Sequence, residues 1–98
     1  MTGTGFRLFV PPPIRRLLRN FHPDLKQKTR AGFQAVLKNP RVGKPLKKEL
    51  EGLYSYRMGR YRTIYRLQNK IVEIVAVGSR KNIYLDTLQC LKLEQRQK

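Results

Sequence analysis

Arg57, Arg62 and Arg80 lie within or beside stretches where aromatic and branched apolar residues recur at every second position, the period of a strand with one buried face. A guanidinium fork matches two phosphate oxygens at once. Several forks converging on one phosphate stabilise the extra negative charge of a phosphoryl-transfer transition state. Sorted by parity, Ser55, Arg57, Arg62 and Arg66 share the face opposite the tyrosines, and Arg80 and Lys81 stand just past the following strand. The pattern predicts a concave, water-facing basic surface there. Tyr84, four residues after Arg80, is placed to present its hydroxyl to the same groove. Lys44, Lys47, Lys48 and Arg60 are expected to meet a polyanion backbone near it, whereas Arg7, Arg15, Arg16, Arg19, Arg30 and Arg41 are read as solvated charge adding long-range attraction.

Other chemistries lack their parts. His22 precedes Pro23 at a helix start, which suits a cap or turn residue better than a general base. Cys90 is alone among Leu88, Leu91 and Leu93 and reads as a small hydrophobe; with one Cys and one His a zinc site is not expected. Glu73 and Asp86 pair with no second carboxylate at a defensible spacing, so glycosidase and two-metal nuclease arrangements are missing. P-loop, HExxH and GxSxG patterns are absent, and no cofactor is expected.

The formal charge is +16, from 22 Lys+Arg against 6 Asp+Glu. Such self-repulsion points to a polyanionic or acidic partner: nucleic acid first, an acidic protein chain second, an anionic membrane surface a distant third. The longest unbroken apolar run, Ile74 to Val77, is far short of a membrane span, and the small neutral opening Met1-Thr-Gly-Thr-Gly carries no secretory pattern, so a cytoplasmic protein is expected.

The 98 residues fit one domain, residues 1–98, with room for one sheet and a few helices. Phe6 to Val10 reads as a first strand, stopped by Pro11-Pro12-Pro13 because proline cannot donate a ladder hydrogen bond. Pro13 can open a helix whose apolar stripe is Ile14, Leu17, Leu18 and Phe21. After the break at His22-Pro23, a second helix turns Leu25, Thr29, Gly32, Phe33, Val36 and Leu37 inward and ends at Asn39-Pro40. Arg41 to Gly52 reads as a loop or extra turn tethered by Leu46, Leu50 and Leu53. Three strands follow: Leu53 to Met58, Tyr61 to Leu67 after a Gly59-Arg60 turn, and Ile71 to Val77, apolar on both sides except at Glu73 as a strand covered on both faces should be, with Gly78 ending it. Tyr54, Tyr56, Tyr61 and Tyr65 are expected in the core against the helices. Asn82 to Leu93 reads as a last short helix or a looser tail. Helices that precede the strands argue for an α+β fold: an N-terminal strand, a helical hairpin and a mainly antiparallel three-strand meander completing one sheet.

Taken together, Lys44-Pro45-Leu46, Leu50-Glu51-Gly52-Leu53-Tyr54, Arg57-Met58-Gly59-Arg60-Tyr61-Arg62-Thr63-Ile64-Tyr65, and Ile74-Val75-Ala76-Val77-Gly78-Ser79-Arg80 with Ile83-Tyr84 resemble the RelE/ParE superfamily of toxins from toxin–antitoxin pairs. The helical half matches in layout. The resemblance implies, for the RelE branch, metal-free cleavage of messenger RNA in the ribosomal decoding site, with the RNA's own 2′-OH as nucleophile, and neutralisation by a cognate antitoxin that wraps the toxin. By position it implies that Arg62 and Arg80 bind the scissile phosphate, that Arg57 replaces a basic strand residue, and that Tyr84 stacks on a base or takes part in proton transfer. Ser79 stands where relatives often carry His or Lys, and Ser55 where a basic residue can occur, so the general base is unassigned. Two alternatives come with the resemblance: a ParE-like inhibitor of DNA gyrase, and a weakened relative that only binds RNA or antitoxin.

Overall fold

A computed structural model describes residues 5–79 and Ile83. The elements, in chain order, are β1 (Arg7–Phe9), α1 (Pro12–Arg19), α2 (Pro23–Lys38), β2 (Lys44–Pro45), a 3-10 turn (Lys48–Leu50), β3 (Leu53–Met58), β4 (Tyr61–Gln68) and β5 (Ile71–Ser79). The strands form one sheet in the order β1-β5-β4-β3-β2. β1 runs parallel to β5 and the other pairs are antiparallel. This is the expected α+β arrangement; the stretch read as a loop or extra turn holds the 3-10 turn, and the short edge strand β2 is an addition to it. β5 also continues through Gly78 to Ser79, because Gly78 faces Arg62 and Ser79 faces Tyr61 in the ladder. The expected C-terminal helix or tail over Asn82 to Leu93 lies outside the described residues apart from Ile83, which is helical and buried.

Local chemistry sets the helix ends. α1 opens on two prolines, whose missing N–H groups fall where a helix has no partner for them. α2 opens on Pro23, with His22 Nδ1 accepting the Asp24 N–H at 3.3 Å, so the histidine is a cap. Asn39 takes an extended conformation ahead of Pro40 and stops α2. α2 buries Thr29, Gly32, Phe33 and Val36 against the sheet. At Gly32 a Cβ would lie 2.5 Å from Met58 Sδ, so the missing side chain lets α2 pack directly on β3. α1 buries no residue fully, and Leu17, expected in its inner stripe, is 40% exposed because α1 presents only Ile14 and Leu18 to the core.

The helices cover one sheet face. Phe33, Val36, Met58, Tyr65, Val72, Ile74 and Val77 form the core there, with Tyr54, Tyr56 and Tyr61 packed around it, as the strand parity predicts. Tyr65 is fully buried and stacks on Tyr54 with ring centres 5.4 Å apart. Its hydroxyl donates to the Pro40 carbonyl at 2.7 Å and accepts the Gly43 N–H at 3.0 Å, tying the exit of α2 to the central strand. A Cβ on Gly43 would lie 2.5 Å from that hydroxyl, so the bond requires glycine. Burial raises the Tyr65 pKa above a phenol's ordinary value, as do Tyr54 and Tyr56; the Gly43 N–H opposes them.

Tyr65→Phe strands a buried carbonyl and a buried N–H and should cost about 2 kcal/mol of unfolding free energy in urea titration. Because folding raises the Tyr65 pKa, its neutral form contributes stability in full below about pH 10, and that contribution is lost as pH rises through the raised value, so the wild type should lose stability in alkali more steeply than the Phe variant. At the β4–β5 turn, Asn69 and Lys70 both take left-handed φ values, 51° and 63°. Lys70→Gly relieves about 1–2 kcal/mol of backbone cost against about 0.5–1 kcal/mol of glycine entropy, and should raise the melting temperature by a few degrees.

Candidate active site

The sheet face away from the helices divides into a dry part and a charged part. Leu53, Ile64, Val75 and Ala76 join Leu50 and Ile83 in a second apolar cluster, with Leu46 packed against it. This corrects the expectation of a wholly water-facing basic surface. Two features cause the difference. The β4–β5 register shifts between Ile64 and Tyr65, where Ile64 faces Ala76 and Tyr65 faces Ile74, so Val75 is an extra residue that joins Ala76 on this face. The 3-10 turn folds Leu50 onto the same face, where Leu46 also packs.

Beside this cluster runs a rung of three ladder partners: Arg57 on β3, Arg62 on β4 and Gly78 on β5. Directly opposed residues project from the same side of a sheet, so the two arginines stand together, while Gly78 makes room for Ile83, whose Cδ1 lies 3.1 Å from the point a Cβ would occupy there. Arg62 is half-buried. One terminal guanidinium nitrogen donates to Ser55 Oγ at 3.2 Å, and Ser55 is itself 3% exposed. Among the described residues, Arg62 Nε is buried with no hydrogen-bond partner. Arg57 is exposed, and its Nε donates to the Gly59 carbonyl at 3.2 Å, which curls the side chain around the β3–β4 turn. Arg66 pairs with Glu73 at 2.7 Å, and among the described residues no carboxylate pairs with Arg57 or Arg62. Two cations face each other with donors to spare, a geometry suited to an anion with several oxygens.

The remaining candidates distribute around this rung. Lys44 faces Ser55 across the β2–β3 pair, at the sheet edge on the same side. Arg60 is in the turn beyond Arg57, and Lys47 and Lys48 are exposed around the 3-10 turn. Arg66 stands four positions along β4 from Arg62, on the order of 13 Å away, and is held by Glu73. Arg80, Lys81 and Tyr84 lie outside the described residues. Ser79 is exposed at the end of β5 opposite Tyr61. Sequence reasoning did not anticipate that Ser55 would hold Arg62. The available signal was parity, since Ser55 and Arg62 were already on one face.

Keeping Arg62 half-dry with an unpaired Nε, opposite another cation, costs stability. Arg62→Met should therefore raise unfolding free energy by about 1 kcal/mol, read in urea titration, while removing the anion-binding fork.

Comparisons with known proteins follow the same outline. Residues 14–84 match the sequence model of the ParE toxin of the type II toxin–antitoxin system parDE. Two toxins of Mycobacterium tuberculosis are similar over part of the chain: Toxin RelE, 44% identical over 55 residues and 53% of this chain, and Toxin RelG, 48% identical over 46 residues and 45% of this chain. Those stretches span 57% and 53% of the two relatives' own lengths, little more than half. The crystal structure of the toxin–antitoxin complex RelBE2 from the same organism contains a chain with 33% sequence identity and a TM-score of 0.68, matched over 76% of this chain and 98% of that one.

Proposed function

The chain belongs to the RelE/ParE superfamily of toxins from type II toxin–antitoxin pairs, and on that premise we propose that it is an endoribonuclease that cuts messenger RNA on the ribosome and so stops translation. The observation that carries this reading is the Arg57–Arg62–Gly78 rung. It offers two guanidinium groups, one half-buried and oriented by Ser55, with no acidic partner among the described residues. The similarity to RelE toxins supports the choice of chemistry.

In the proposed reaction the 2′-oxygen of the substrate ribose attacks the adjacent phosphorus. The new P–O2′ bond forms as the P–O5′ bond breaks, leaving a 2′,3′-cyclic phosphate and a 5′-hydroxyl end. The 2′-OH proton leaves to a base, and the departing 5′-oxygen takes up a proton. Arg62 and Arg80 bind the non-bridging oxygens and stabilise the charge that grows on them, Arg57 adds a third fork, and Tyr84 stacks on a base or relays a proton. Lys44, Lys47, Lys48, Arg60 and Lys81 serve the RNA backbone, whereas Arg66, a candidate for the same role by position, is engaged by Glu73. A cognate antitoxin covers the basic surface, as the relative solved as a complex suggests, and its affinity falls with salt.

The match to the ParE model favours a second reading, in which the chain binds DNA gyrase and acts by contact. A cell-free translation reaction with mapping of messenger RNA ends separates the two. Under the first reading the wild type produces discrete cuts, and Arg62→Ala lowers the cleavage rate by about 10²–10³ at unchanged folding. Translation arrest with intact messenger RNA, or full cutting by Arg62→Ala, would overturn it. Trapped gyrase intermediates on supercoiled DNA would establish the second.

A further inference from the structure

A second cluster of cations lies next to the arginine rung, in a cleft between the start of α2 and the β3–β4 turn. The cleft is open and measures about 700 Å³. Lys28, Arg57 and Arg60 line it, with Asp24 as its one lining carboxylate. The turn glycine brings the cations together. Lys28 Nζ is 4.0 Å from the point a Cβ would occupy on Gly59, Arg57 Nε bonds the Gly59 carbonyl, and Arg60 follows directly. His22 is committed as the cap of α2, so its Nδ1 is not counted here.

We propose that this cleft is a second phosphate subsite, holding the RNA strand one or more nucleotides away from the scissile phosphate, with Lys28 as its principal contact and Arg57 as the wall shared with the arginine rung. The inference rests on the nuclease reading and extends it. Three cations against one carboxylate leave a net excess of two positive charges, and the shared Arg57 makes the two sites continuous, which suits consecutive phosphates of one strand. An amphipathic protein segment would need a longer apolar floor than Leu25, Met58 and the Tyr61 ring provide.

The test is fluorescence anisotropy with 5′-fluorescein hexauridylate over a series of KCl concentrations, using wild type, Lys28→Ala, Lys28→Arg and the Lys28→Ala/Arg60→Ala double variant, each checked for an unchanged melting curve. Lys28→Ala should weaken binding about threefold and the double variant about tenfold. Each lost phosphate contact should make the slope of log K against log[KCl] shallower by about 0.7. Lys28→Arg should retain wild-type affinity and slope. Wild-type affinity and slope in the double variant overturn the proposal. So does weakened binding of a polyglutamate peptide with hexauridylate binding intact, which gives the cleft to an acidic protein partner. Failure of the wild type to cut messenger RNA, alongside the predicted loss of hexauridylate affinity, removes the nuclease reading and leaves the subsite standing. Normal cutting with no effect of the double variant removes the subsite alone.

Discussion

The hydroxyl of Tyr65 fixes where the chain goes after α2, and much of the molecule follows from that. By donating to the Pro40 carbonyl and accepting the Gly43 N–H, it brings the end of α2 onto the central strand of the sheet. Lys44 and Pro45 are thereby delivered as the edge strand beside β3, and the next residues cross to the far side, where Leu46 and Leu50 cover Leu53 and Ile64. That cover dries the neighbourhood of Ser55, and a dry Ser55 gives the Arg62 guanidinium a fixed hydrogen-bond partner. A phenol buried under the helices thus orients, through the backbone, an arginine on the opposite face of the sheet.

β4 serves both faces at once. On the helix side it contributes Tyr61, Thr63 and Tyr65, and on the other Arg62, Ile64 and Arg66. The two arginines differ in kind. Arg66 is neutralised by Glu73 and stabilises the β4–β5 pairing, whereas Arg62 faces another cation and keeps a buried donor unpaired among the described residues. Folding free energy is lost at Arg62 and supplied by the two apolar clusters on either side of the sheet, the usual relation between a preorganised site and its scaffold.

The strand and helix layout was legible because the hydrophobic period changes cleanly from 3.6 to 2 at the right places and prolines mark the boundaries. The tyrosine face and the grouping of Arg57 with Arg62 followed from parity alone. What parity does not reveal is which face receives additional cover. Leu46 and Leu50 were recognised as tethers, but nothing in a single sequence says that they reach the basic side of the sheet, because that depends on a tertiary bond between Tyr65 and two backbone groups more than twenty residues away. The extra residue at Val75 was hidden for a similar reason: an unbroken apolar run looks the same with or without a bulge. Arg60 and Lys28 are separated in the sequence by three elements and only the fold brings them to one cleft.

The parallel pairing of β1 with β5 has a consequence for how the molecule comes into being. Arg7 is paired with Ile71, and everything between them must be made first. The helical hairpin and the β3–β4 hairpin close through short loops, whereas β1 waits for a partner near the other end of the chain, a contact of high sequence separation that is slow to form. Gly78, the third member of the arginine rung, belongs to that same late strand. During its own synthesis the chain therefore carries both arginines before it has the strand that completes their setting, and a product that stops short of β5 is left with neither a finished sheet nor a finished rung.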